Sequence, residues 1–393
     1  MADLAIWGTM GDVMTPSTPL REKSTPDTPA LLRALDGSRP DRLPVWFMRQ
    51  AGRCLPEYRA AREGNAMLDA CLTPDLVAEI TCQPVRRFGV DAGIFFSDIM
   101  VPLRLAGVDV DIRPGVGPVI DNPPRTAEDV RHLTDRRIED DQVIRHAAAL
   151  TVAELGKPGR DEGATPLIGF AGAPFTIAAY VAEGRGTRDH LAARTLMHAD
   201  PDSWDALMTW AGDLAIAFLE AQVAGGACAV QLFDSWAGSL SRRDYERYCL
   251  PYSARVLAAL AAGGIPTIHF GTGTGAFLDL LRSAGATCVG VDYRVPLDEA
   301  VTILRQVNSV NPSDGAPAAP FVVQGNIDPA LLACPTDVLH AHAREVVQAG
   351  YAADGHIVNL GHGVPPTTNP DVLTDLVAFI HSLPGSADSA PTM

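Results

Sequence analysis

The sequence predicts an α/β chain folded as a single-domain (β/α)8 TIM barrel, and three observations carry that expectation. Short apolar or β-branched runs alternate with longer helical patterns, as in βα units around a parallel sheet. The runs number eight: VWFM (45–48), AGIFFS (92–97), PLIGFA (166–171), CAVQLF (228–233), PTIHF (266–270), TCVGVD (287–292), FVVQG (321–325) and HIVNLG (356–361). Between them, DLVAEITCQPVRRF, WDALMTWAGDLAIAFLEAQVAG, RDYERYCLPYSARVLAALAAG and DVLHAHAREVVQAG repeat apolar residues every three or four positions. Several of these segments end in Gly just before the next strand, as helices commonly do. A doubly wound open sheet is the competing arrangement of the same units.

Composition sets the bounds. The 393 residues carry a formal charge of -16 and are 47% hydrophobic, enough for a large core and unlike a disordered chain. An acidic field of this size argues against nucleic acid or an anionic membrane surface as the main partner. The 7 cysteines form no C-x-x-C pair, so neither a disulfide framework nor a zinc site is expected. No apolar run reaches the roughly 18 to 20 residues of a membrane span, and the N-terminus lacks a basic start followed by an apolar segment. A cytoplasmic location is the expectation. Residues 1–28, rich in Thr, Pro and Ser, read as a flexible arm in which Met10 and Met14 offer alternative starts; 29–383 form the barrel and 384–393 a disordered tail. The segment from Val101 to Ala164 is too long for a simple crossover and should carry extra strands or helices, and 308–320 reads as a surface loop.

In parallel barrels the active site lies at the carboxyl ends of the strands. Those ends read Arg49, Asp98, Gly172, Asp234 with Ser235, Gly271, Asp292 with Tyr293, Asn326, and Gly361 with His362. Around the first strand, RLPVWFMRQAGRCLPEYRAAR holds five arginines and a single acid, Glu57. Guanidinium groups fit carboxylate or phosphate and stay charged at any working pH, so this cluster predicts a polyanionic ligand. Arg42 and Arg59 read as surface ion pairs. Arg49 and Arg53 read as ligand contacts, because a charge directly after an apolar strand would otherwise be buried without a partner. Asp98 ends the second strand; Ile-Met-Val-Pro behind it is a poor helix start, which weakens a capping role. Beside arginines its carboxylate should stay ionised.

The third strand runs into GFAGAPFTIAAYVAEG, where Pro174 is placed to begin a helix containing Tyr180. Tyr180 reads either as a core residue with a satisfied hydroxyl or as a ligand contact. GTGTG (271–275) lacks phosphate-loop spacing and reads as a tight βα turn. His362 reads either as structural or as a donor to an anion.

Together, PVWFMRQAGRCLPEYR, FFSDI, IGFAGAPFTIAAY, LFDSWAG, VVQGNIDP and NLGHGVPP resemble the uroporphyrinogen decarboxylase family, in family order across residues 29 to 383. The resemblance implies a (β/α)8 barrel, commonly a homodimer, and a cofactor-free reaction. That reaction decarboxylates the four acetate side chains of uroporphyrinogen III, a tetrapyrrole, to give coproporphyrinogen III in haem biosynthesis. It also implies a substrate cleft lined by Arg49, Gln50, Ala51, Gly52 and Arg53, with Arg62, Tyr180, Ser235 and His362 at further contact positions and Asp98 as the catalytic group facing the pyrrole N–H groups. The same superfamily holds methyltransferases whose zinc site needs a His-x-Cys pair; here His269 is followed two places later by Gly271. A non-catalytic tetrapyrrole carrier is the remaining alternative.

Overall fold

The computed structural model describes residues 24, 25, 27–156, 163–308 and 320–385. Residues 309–319 of the expected loop, most of the expected arm and most of the expected tail lie outside the described residues. Nine strands are described: β1 (Gly93–Ile94), β2 (Val110–Arg113), β3 (Gly117–Ile120), β4 (Leu167–Gly172), β5 (Ala229–Asp234), β6 (Thr267–Gly271), β7 (Cys288–Gly290), β8 (Val322–Gln324) and β9 (Gly355–Ile357). Seven form one sheet in the order β1-β4-β5-β6-β7-β8-β9, every pair parallel. Each of these strands falls on a run predicted from the sequence.

The first predicted run is the exception. Only Val45 of VWFM makes a bridge, to Val358, because Gln50 N–H already bonds back to Phe47 O (3.0 Å) and turns the chain. The short segment 44–46 is nonetheless bonded on both sides. Val358 N–H donates to Pro44 O (2.9 Å), Trp46 N–H to Val358 O (3.2 Å) and Asp91 N–H to Val45 O (2.8 Å). The Asp91 carboxylate adds a bond from Val45 N–H and ion pairs with Arg42 and His381.

The sheet is curled. Gln324 of β8 donates to Gln231 of β5 (3.0 Å) and accepts from the Trp46 indole (3.1 Å), so side chains from separated strands meet over one concave face. Toward the carboxyl ends, Phe170, Phe233 and Phe270 pack edge to face on that side, with centroids 5.5 and 6.0 Å apart. Helices cover the convex side. The longest, Pro201–Ala224, starts where the Asp200 carboxylate accepts Ser203 N–H and buries Trp204, Trp210 and Phe218. Each such side chain stabilises the fold by about 1.5 to 3 kcal/mol relative to an exposed one.

The segment after β1 holds helix Val101–Leu105, the antiparallel pair β2-β3, and helices Ala127–Thr134 and Gln142–Leu155, as its length predicts. Strand β3 docks near the mouth through Ile120 N–H to Gly184 O (2.7 Å), just past helix Pro174–Glu183. GTGTG is a tight turn, with Gly273 at φ 72° and its N–H given to Asp292 Oδ2 (2.6 Å). Among the described residues, no helix is long and apolar enough to cross a membrane.

Candidate active site

Arg49 stands where the first and last predicted strands meet. Met48 N–H donates to Asn359 Oδ1 (3.0 Å), and Val364 N–H donates to Met48 O (2.8 Å). One residue on, the buried Gln50 amide accepts Phe47 N–H and donates to Ala92 O, both at 2.9 Å. Held from both sides, Arg49 adopts φ 61°, a left-handed conformation that costs a non-glycine residue about 1 to 3 kcal/mol. Gly52 completes the turn: a Cβ there would lie 2.7 Å from Arg49 O. The Gln50 side chain is therefore turned to the scaffold, while Ala51 packs half-buried against the core.

The arginines themselves differ from the expectation of buried charges: Arg49 and Arg53 are both exposed. Arg62 is half-buried, donating to Ala66 O (2.9 Å) beside Tyr58, and its Nε is buried without a hydrogen bond among the described residues. Arg42 pairs with Asp91 as expected of a surface arginine. Arg59 instead donates to the carbonyls of Arg53 (2.6 Å) and Cys54 (3.4 Å), so it braces the turn rather than pairing with an acid.

Asp98 shapes a local turn and does not cap the helix that follows, whose N-cap is Met100 with no side-chain bond. Its Oδ1 accepts Met100 N–H (2.9 Å) and its carbonyl accepts Val101 N–H (3.0 Å), folding the turn that leads into helix Val101–Leu105. Short polar side chains make such turns whatever follows them. The second oxygen, Oδ2, has no hydrogen bond among the described residues. Part of Asp98 stays open to the mouth, yet loss of surrounding water is the largest influence on its carboxyl and raises its pKa. The Met100 N–H and Arg49 pull the other way and favour the carboxylate, as expected of a neighbouring arginine, without cancelling burial.

Tyr180 shares this environment. Burial first, and then the Asp98 charge, raise its phenol pKa, while contact with Trp236 and the charge of Arg49 oppose the rise. Its ring lies 5.6 Å from Trp236, which in turn lies 4.7 Å from the buried His190. Thr176 ties this wall together: its hydroxyl donates to Asp234 Oδ1 (3.1 Å) and accepts Trp236 N–H (3.3 Å). Ser235 lies between these two anchored residues, half-buried at the end of β5. His269 lies 3.8 Å from Asp234, fully buried, and so belongs to the support of this wall.

The last loop brings the remaining groups in. His362 is flanked by Gly361 and Gly363: a Cβ on Gly361 would overlap the backbone N of Tyr293, whereas one on Gly363 would overlap Cδ of the Arg49 side chain. Burial lowers the His362 pKa, and the positive charges of Arg49 and Arg294 lower it further against the pull of Asp292. The imidazole is thus neutral at neutral pH. Sequence reasoning missed Arg294, Trp236 and His190; the first two directly follow named strand-end residues, and that adjacency was the available signal.

The uroporphyrinogen decarboxylase (URO-D) family model matches residues 26–383. The uroporphyrinogen decarboxylase of Arthrobacter sp. (strain FB24) is 58% identical over 359 residues, 91% of this chain and 98% of that protein. That of Saccharopolyspora erythraea is 52% identical over 371 residues, covering 93% and 98%. That of Salinispora tropica is 50% identical over 383 residues, covering 97% and 98%. Among solved structures, a methyltransferase from Methanosarcina mazei superposes with a TM-score of 0.71 at 18% identity, covering 90% of this chain and 98% of that one. At that identity the likeness concerns the fold alone.

Proposed function

The chain belongs to the uroporphyrinogen decarboxylase family, and on that premise we propose that the mouth built by Arg49, Arg53, Asp98, Tyr180, Ser235 and His362 is where its chemistry occurs. The activity is that of a carboxy-lyase of porphyrin and haem biosynthesis: uroporphyrinogen III loses CO2 from its four acetate side chains and becomes coproporphyrinogen III. In our reading no cofactor takes part. Arg49 and Arg53, with Arg62 nearby, hold peripheral carboxylates, and the turn Gln50-Ala51-Gly52 presents both arginines to one ligand. Tyr180, Ser235 and His362 contact the same ligand from the ends of other strands.

The observation that carries the reading is the Asp98 carboxylate, partly open, with one oxygen free of hydrogen bonds among the described residues and within reach of the Arg49 charge. A proton added to the pyrrole carbon adjacent to the one that bears the acetate makes the ring cationic. The bond to the carboxylate then breaks, CO2 leaves, and its electron pair neutralises the ring. The exocyclic methylene takes a proton to become a methyl as the ring carbon loses the one it gained, so each turn consumes one proton. Either an arginine of the cleft or a water held there supplies it. Asp98, facing the pyrrole N–H groups, stabilises the cation as it forms. At an effective dielectric of about 20, a charge pair about 4 Å apart is worth about 4 kcal/mol, nearly three powers of ten in rate.

We infer further that the segment 44–46, bonded to both edges of the sheet, closes it as the eighth stave of a (β/α)8 barrel formed as one domain by residues 29–383. Family membership supports a cytoplasmic homodimer, and sedimentation should then return twice the 41.6 kDa chain mass. Anaerobic incubation with uroporphyrinogen III tests the activity, with coproporphyrinogen III as the expected product. A protein that binds the tetrapyrrole and leaves all eight carboxylates in place would be a carrier instead.

A further inference from the structure

Arg294 lies one residue beyond Tyr293, whose backbone the missing side chain of Gly361 allows close to the His362 loop. Its loop is firmly held. Asn326 Nδ2 donates to Asp292 O (2.8 Å) and Val295 O (2.6 Å), so both ends of the stretch from 292 to 295 hang on one amide. The nearly buried Asp292 accepts Arg294 N–H on Oδ1 (3.1 Å) and Arg294 Nη1 on Oδ2 (2.7 Å). On its other side the guanidinium lies 4.6 Å from the centroid of the Tyr293 ring. A long side chain that would ordinarily sample many rotamers is thus fixed before any ligand arrives.

Fixed as it is, the guanidinium keeps 49% of its side-chain surface in solvent, and only Nη1 is engaged by a carboxylate. Charge reaches from it to His362, as it does from Arg49. The local arrangement is therefore a run of contacts from Arg49 across Gly363, His362 and Gly361 to Tyr293 and Arg294. A ligand with eight carboxylates has more anions than the arginines around the first strand can hold. A chain of charge -16 repels it as a whole, so each local cation matters.

We propose that Arg294 is a further substrate-binding residue, taking a peripheral carboxylate of the tetrapyrrole on the His362 side of the cleft. This rests on the reading of the mouth as the decarboxylase site. The alternative role, neutralising Asp292, would affect stability and leave ligand binding untouched.

Arg294→Gln separates the two. The expected result is a KM for uroporphyrinogen III raised about two- to fivefold at low salt, as for an exposed charge contact, with the difference shrinking as ionic strength rises. Arg294→Lys should recover part of it. Because Arg294→Gln leaves Asp292 without its cation, the double variant Asp292→Asn/Arg294→Gln serves where the single variant is unstable, and the same rise is expected. A KM and salt dependence equal to wild type in the folded variants overturns the proposal. If the wild type itself shows no turnover, the decarboxylase reading fails separately, and uroporphyrin binding followed by fluorescence decides Arg294: equal affinity in variant and wild type overturns it, and weaker, salt-sensitive binding in the variant supports it.

Discussion

Gly363 lies against the Arg49 side chain so closely that a Cβ would overlap Cδ and stand 2.8 Å from Cγ. The aliphatic stem of the arginine occupies the place where any other residue would carry its first carbon. Gly363→Ala should therefore displace Arg49 without removing a charge. Misplacement of about 1 Å at such a site costs up to about a hundredfold, so kcat/KM should fall by about ten- to a hundredfold with the melting temperature little changed. Wild-type kinetics in this variant would show that the Arg49 geometry does not matter.

Asp98→Asn removes a charge and keeps a shape. The amide oxygen can still accept Met100 N–H, so the turn into helix Val101–Leu105 should persist. Turnover should drop by about three powers of ten, while affinity for coproporphyrinogen III changes far less. Turnover within about tenfold of wild type would remove Asp98 from the catalytic role.

Asp98 and His362 set opposite expectations for pH. Because burial raises Asp98 above the ordinary carboxyl value of 3.8, the anion should be lost, and activity with it, as pH falls through a value higher than that. His362 starts below 6.5 and neutral. A polyanion placed beside it favours the imidazolium, so binding should take up a proton near neutral pH. Calorimetry of tetrapyrrole binding in buffers of different ionisation enthalpy measures that uptake, and His362→Gln should abolish it. Identical uptake in the variant would assign the proton elsewhere.

His356 predicts the acid stability of the fold. Burial lowers its pKa from 6.5 to about 4, and its Nε2–H is held by Gly325 O (2.8 Å). The unfolded chain gains a proton at His356 below about pH 6.5, which the folded chain refuses until about pH 4. Stability from this residue is thus fully present above the upper value and lost as pH falls toward the lower one, by about 3 kcal/mol in all. Denaturant titrations across that window should show the loss, and His356→Gln should flatten it. A wild-type curve that is level from pH 6.5 to 4 would contradict the assignment.

Much of this arrangement was legible in the order of residues. Seven of the eight predicted runs became strands because short apolar runs between helical patterns have few other ways to bury themselves. Arg49, Asp98, Ser235 and His362 were singled out as candidates because the ends of parallel strands converge on one mouth. VWFM fell short as a strand because the side chain of Gln50, which accepts Phe47 N–H, decides where the chain turns, and periodicity does not register a single amide. The part burial plays at Asp98 was not legible, because sequence shows which charges are near but not how much water they lose. Arg294 was passed over because the tethers of its loop come from Asp292 and Asn326, and no spacing rule links the second to it.

The bond from Met48 N–H to Asn359 Oδ1 spans 311 positions of sequence, and it fixes the residue next to Arg49. Contacts of such separation form late, since the entropy of closing the intervening chain is lost before they give anything back. During synthesis, then, the arginines emerge early and the cleft late. A nascent chain stalled before Val364 already displays its anion-attracting groups yet has no geometry with which to hold a tetrapyrrole, so binding competence would report on completion of the last strand.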